Sequence, residues 1–223
     1  MLLFLPSTLS LAKANFDSVI SVKIHDVPLR DSLMQIAKSC NVSVFIDRRI
    51  DPSTKISIQA ENKKVREVFQ KLTDSSGLYC YFFVSVVYIG LDEMRNIFPH
   101  LLAEHRKFIS QTDIRNAKNK TALSAAQSIL KKPVTIKLPI LSEPKKVLSD
   151  LAQRHQFEWN NLNKVPHDVW DENHLPTMPL GDLLFLILIG FDLDYICSLQ
   201  DNHASNKVIL RIIDIKKNNA SVK

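Results

Sequence analysis

Glycine is nearly absent from this chain, with four residues in 223. That scarcity excludes the Gly-rich loops that cradle phosphates, and neither G-x-G-x-x-G nor a Walker sequence occurs. The three cysteines, Cys40, Cys80 and Cys197, form no C-x-x-C pair. Zinc-ribbon and thioredoxin-type sites are therefore excluded, and an odd count is a poor basis for a disulfide scaffold. One pair plus one free thiol stays open, although Cys80 and Cys197 lie in alternating apolar runs and read as buried strand residues. No stretch reaches the roughly 18 apolar residues of a membrane-spanning helix. The nearest, LGDLLFLILIGF, is short, is bounded by Asp182 and Asp192, and reads as a buried helix.

What is present is ordinary for a globular protein: 45% hydrophobic and 23% charged residues. The length accommodates one large or two small domains. Net charge is +6 with a pI near 9.2, which permits a nucleic-acid or anionic-membrane partner. The basic residues are spread along the chain, and the densest run, Lys63-Lys64 to Arg66, reads as the solvated start of a helix. Residues 1–14, MLLFLPSTLSLAKA, place Ala12-Lys13-Ala14 after an apolar stretch. This is the layout of a secretory signal peptide without its basic n-region, so the segment is set apart from the fold.

The chain from Val22 onward alternates apolar and polar residues, as a half-buried strand does. Pro28 suits a helix's first turn. Leu29, Leu33, Ile36, Ala37 and Cys40 then make one apolar helical stripe that Asn41 can end. Val42, Val44 and Ile46 predict a strand, Ile56 and Ile58 another. Asn62 is the expected cap of a second helix with the stripe Val65, Val68, Phe69 and Leu72, stopped by Gly77. Two more strands follow, at Leu78–Phe82 and in VSVVYIG.

Shifting the sequence by 115 positions superposes this pattern on a second copy. Leu33 falls on Leu148, Ile36 on Leu151, Ala37 on Ala152, and Val44 on Trp159. In the second helix Val65 falls on Leu180, Phe69 on Leu184 and Leu72 on Ile187, with Asn62 on Thr177 as matching cap. The expected organisation is a first module at 20–90, a helical bridge at 91–132, a second and divergent module at 133–215, and a polar tail at 216–223. The second module carries an insertion, QDNHASNK, before its last strand. The expected fold class is α+β, with two tandem βαββαβ-type modules.

The run VKIHDVPLRDSLMQIAKSCNVSVFID, followed by VREVFQKLTDSSGLYCYF, resembles the secretin/TonB short N-terminal (STN) domain. Pro28, Leu29, Leu33, Ala37, Val65, Leu72, Gly77, Leu78 and Tyr81 fall on or near that family's pattern. Val68-Phe69 and Cys40-Asn41 depart from it, because that family often carries a small residue at the first site and usually a small residue with glycine at the second. The resemblance implies a periplasmic, non-enzymatic module that docks on another cell-envelope protein. It implies no enzymatic activity and so no catalytic residue, and the residues themselves give no ground to expect a cofactor, a metal or a nucleic-acid partner.

The densest polar and aromatic cluster is Pro166-His167-Asp168-Val169-Trp170, with His174 close behind. As a metal site it would need His167, Asp168 and His174 to converge. As a structural loop it would pack Trp170 on the core and use Asp168 to cap a turn, which is the preferred reading. Pro166, His167, Asp168 and Trp170 are also the candidate interaction loop. A thiol enzyme would pair Cys80 or Cys197 with His155 or His203, whereas cysteines in predicted strands are more often inert. His25 and His100 stand alone. A KH-like nucleic-acid binder would need a GXXG loop, and no two glycines have that spacing. Edge-strand addition of a partner is the simplest physical route to docking, with VSVVYIG (84–90) and KVILRI (207–212) as apolar strands that are either edge or central.

Overall fold

The computed structural model describes residues 16–110, 120–198 and 208–215. The fold is α+β. The first half runs β1 (Val19–Pro28), α1 (Leu29–Cys40), β2 (Ser43–Ile46), β3 (Lys55–Lys64), α2 (Val65–Ser75), β4 (Leu78–Phe83) and β5 (Val86–Leu91). Two helices follow, α3 (Met94–Ser110) and α4 (Lys120–Leu130). The second half runs β6 (Pro133–Leu138), α5 (Pro144–His155), β7 (Phe157–Asn160), β8 (Asn173–Pro179), α6 (Leu180–Ile189), β9 (Leu193–Ser198) and β10 (Val208–Asp214). The signal-like segment, the insertion, His203 and the polar tail fall outside the described residues.

Strand pairing in the two halves is the same. β1 and β3 form an antiparallel pair, as do β6 and β8. The three-stranded sheets are ordered β2-β5-β4 and β7-β10-β9. In each, the central strand lies parallel to the first strand and antiparallel to the last. The same shift of 115 also relates backbone positions that only a few residue types tolerate. Left-handed φ values of 54° at Asp26, 53° at Asn41 and 64° at Gly77 recur as 63° at Leu141, 62° at Gln156 and 56° at Asp192. VSVVYIG and the strand in KVILRI are thus the central strands β5 and β10, each with neighbours on both sides. Among the described residues they leave no free ladder for a partner, and the edges of the three-stranded sheets are β2, β4, β7 and β9.

The helix starts differ from expectation. Asn62 does not cap α2 and Thr177 does not cap α6, because β3 and β8 run straight into their helices and end at Lys64 and Pro179. Backbone carbonyls from neighbouring segments take the orphan N–H groups instead. Leu29 and Arg30 N–H donate to Thr54 O and Pro52 O; Val65 and Arg66 donate to Ser18 O and Phe16 O; Leu180 donates to Lys132 O. Asn41, by contrast, ends α1 in the left-handed conformation as its side chain suggests.

The interior forms two clusters. In one, α1 and α2 are packed between the β1–β3 pair and one face of the β2-β5-β4 sheet, through residues such as Leu33, Phe69, Ile58, Val87 and Ile89. The other fills the second half and continues through α3 onto the opposite face of that first sheet, where Phe45, Tyr79, Phe83, Val86 and Tyr88 belong to it. The first sheet is therefore buried on both faces. Alternation along β5 divides its side chains, with Val87 and Ile89 facing one core and Val86 and Tyr88 the other. α6 is buried at all ten positions, as expected of a helix that is apolar all round.

Phe98 of α3 joins these layers. Its ring stacks on Tyr88 with centroids 4.2 Å apart and lies 5.0 Å from Phe185 of α6. Phe98→Ala is expected to cost about 3–5 kcal/mol and to leave one cooperative urea transition for the whole chain. A loss below about 1 kcal/mol, or two separate transitions, would show that the halves do not share this core.

Candidate functional site

Asp47 directly follows β2 and its side chain is fully buried. A carboxylate in that position must be paired and hydrogen-bonded to be tolerated. Arg49 donates from Nη2 to Asp47 Oδ2 at 2.6 Å and from Nε to Oδ1 at 2.9 Å, and its backbone N–H also reaches Oδ1 at 3.0 Å. Tyr88 donates its hydroxyl to Oδ2 at 2.7 Å. Arg49 continues to Asp192 Oδ1 at 2.5 Å, so the network crosses from the first half to the second. The carboxylates around Arg49 hold its pKa above the ordinary guanidinium range, with the Asp47 hydrogen bond the largest cause. Burial, then the Asp47 charge, pushes the Tyr88 phenol well above its ordinary value.

Two further polar pairs involve buried carboxylates. His105 Nε2 lies 2.6 Å from Asp194 Oδ1, and the same oxygen accepts the Tyr195 backbone N–H at 2.8 Å. Arg106 Nη2 donates to the buried Asp182 at 2.7 Å. The His105–Asp194 pair has the look of a catalytic couple, but Tyr195, stacked on His105, donates its hydroxyl to Gly181 O. The pair joins α3 to β9.

The candidate loop docks against the first half. Asp168 Oδ2 accepts from Arg48 Nε at 2.8 Å and from Trp170 Nε1 at 3.0 Å, so Asp168 forms an ion pair and does not cap a turn. Trp170 packs edge-on against Phe45 and parallel to Phe191, and Arg48 lies over the Phe191 ring. Trp170 also exchanges backbone hydrogen bonds with Ser142. Pro166 and His167 are exposed, as is His174. Among the described residues, no three His, Cys, Asp or Glu side chains are placed to hold one metal ion.

The three cysteines are free thiols. Burial raises the pKa of Cys80 and of Cys197, which disfavours the nucleophilic thiolate. No hydrogen bond among the described residues links either thiol to His155, whose own pKa is lowered by burial and by Lys132 and Arg154. His25 meets Ser57, and His100 is exposed.

Between β2 and the segment 168–173 lies a cleft of about 390 Å³. Arg30 and Met34 of α1 form one wall, and Leu138, Leu141, Val169 and Trp170 contribute to the rest. Two ion pairs span it, Arg30–Asp171 at 2.5 Å and Arg48–Asp168. Seven large apolar residues are exposed among those described, and three of them, Met34 at 39%, Leu141 at 69% and Val169 at 50%, line this cleft; a fourth, Ile140, adjoins it. Such clustering marks a contact surface more than scattered exposure does.

Sequence reasoning found the loop and missed the acid–arginine network. Its signal was legible in IDRRID, where an apolar strand ends on an acid followed by two arginines, and in Asp182 inside an apolar helix. No protein-family model matches the chain, and no curated protein sequence matches it.

Two outcomes follow from this chemistry. A Cβ on Gly90 would stand 2.5 Å from the Tyr88 ring and 2.8 Å from its hydroxyl. Gly90→Ala is therefore expected to displace that hydroxyl from Asp47 and to cost about 1–3 kcal/mol, read as a lower urea midpoint. The phenols of Tyr79, Tyr88 and Tyr195 all have pKa values raised first by burial. A raised folded-state pKa favours the protonated native form. This part of the stability is fully present below the ordinary tyrosine value of about 10 and is lost as pH rises above it. Thermal scans across alkaline pH should show a steep fall there, with tyrosinate absorbance from these rings appearing only on unfolding.

Proposed function

We propose that this chain is a non-enzymatic docking protein of the bacterial cell envelope, and that its contact surface is the cleft between its halves. The observation that carries this reading is the convergence of Met34, Leu141 and Val169, with Ile140 beside them, on one concave site. The site has the size of a ligand pocket, and the ion pairs at its rim would give orientation more than affinity. The STN-like character of residues 20–90 supports the same reading and suggests a periplasmic address with another envelope protein as partner. Burial raises the pKa of the Cys80 and Cys197 thiols, which also favours docking over a reaction that depends on either of them.

One feature favours a nucleic-acid reading. Lys132 and Arg154 both act on His155, and none of the three enters an ion pair among the described residues. If that cluster served a KH-like role, affinity for short RNA or DNA would fall steeply with salt.

The docking reading is tested in cells that express the protein from its full upstream region. A photo-reactive amino acid at Val169 or Met34 should give one discrete cross-linked partner, lost in Leu141→Asp, while the same group at exposed Val84 should not. The mature protein should begin after Ala14 and fractionate with the periplasm. An uncleaved cytoplasmic chain would overturn the envelope address, and no adduct at either cleft position would overturn the docking surface.

A further inference from the structure

β2 is an edge strand whose outer ladder faces the cleft. Ser43 N–H donates to Ser85 O, in the turn just before β5, and Asp47 N–H donates to Ile89 O of β5. Successive residues of a strand alternate their hydrogen-bonding direction, so Ser43, Phe45 and Asp47 serve β5 while Val44 and Ile46 point their backbone groups outward. Val44 O is taken by the Asn173 side chain at 3.2 Å. For the N–H and C=O of Ile46, the described residues provide no partner on that side.

The segment 168–173 runs antiparallel to β2, because Asn173 meets Val44 and Asp168 meets Arg48. Only side chains join the two, with no backbone hydrogen bond between them. The result is a slot with the form of an incomplete sheet, closed near Val44 by Asn173 and by Ser43 Oγ donating to His174 O, and open beside Ile46.

Resting on the docking reading, we infer that the slot takes a short extended segment of the partner, which pairs by both backbone hydrogen bonds with Ile46. In an extended segment, alternate side chains point to opposite faces. One set meets Met34 on α1, and the other meets Leu141 and Val169. The charges in the slot specify the chemistry further. Asp47 is held by Arg49, Asp168 by Arg48 and Asp171 by Arg30, which leaves exposed Glu172 without an ion pair among the described residues. On a chain of net charge +6 this corner is locally acidic. The occupant is therefore an apolar extended segment that carries a lysine or arginine, recognised by strand addition.

The test uses a displayed library of random linear peptides selected against the full chain and counter-selected against Leu141→Asp. The strongest binder is then synthesised with and without N-methylation at the residue that pairs with Ile46. Enrichment of alternating apolar sequences with a basic residue is expected. N-methylation should lower affinity at least tenfold, about 1.4 kcal/mol, and the unmodified peptide should slow hydrogen exchange at the Ile46 amide. Glu172→Lys should weaken binding of the basic peptides while leaving the urea midpoint unchanged. Peptides that compete for the cleft but tolerate N-methylation would overturn strand addition and leave the docking reading standing. Failure to enrich any peptide over the Leu141→Asp counter-selection would overturn the strand site, with cross-linking at Val169 deciding the docking reading separately.

Discussion

The Tyr88 ring is where the two halves of this protein become one structure. Its hydroxyl satisfies the buried Asp47 carboxylate, and its face stacks on Phe98, which in turn meets Phe185. An isolated carboxylate in an apolar interior costs far more than a domain's whole net stability, so Asp47 requires Arg49 and Tyr88 together. Gly90 leaves room for the ring on the same strand face. The polar bracket and the aromatic stack share one side chain and hold the first sheet against the rest of the molecule.

That attachment explains why two similar halves are used differently. α2 has an apolar face and an exposed one, since it packs between its own sheets. α6 stands at the corresponding position but is enclosed, with its own sheet to one side and α3 with the far face of the first sheet to the other. Asp182 is tolerated inside it because Arg106 reaches in from α3. The bridge is thus a third packing layer, and Phe98, Leu102, His105 and Ile109 bury at successive turns of α3 to form it.

The cleft is a consequence of the same geometry. Docking the second half brings segment 168–173 alongside β2 without completing a backbone ladder, and the gap is spanned by arginine–carboxylate pairs. Exposed pairs of this kind contribute little to stability, typically under about 1 kcal/mol. Their main effect is on register and on the shape of the mouth. Apolar residues remain at its rim, and Leu141 is held outward at the left-handed corner that Asp26 occupies in the first half.

Residues 20–90 could be read as a module from periodicity alone: the stripe Leu29–Leu33–Ile36–Ala37, the stop at Asn41 and the alternation in Val44–Ile46 report local geometry that repeats in one dimension. The second copy was legible for the same reason, since a single shift aligns both stripes. The wholly apolar run at 180–189 announced its own burial. What periodicity cannot express is contact between residues distant in the chain. Asn62 looked like a cap and is not one, because Phe16 and Ser18 deliver their carbonyls to the same N–H groups. Asp168 looked like a turn residue and is an ion-pair partner of Arg48, which lies 120 positions away. VSVVYIG was equally consistent with an edge or a centre until its neighbours were in place. Sequence determined most of the elements and the register of their apolar stripes, because backbone preference and side-chain alternation are local. Tertiary structure alone decided which sheet face would be buried twice, which strand edge would stay open, and where the exposed apolar side chains would meet.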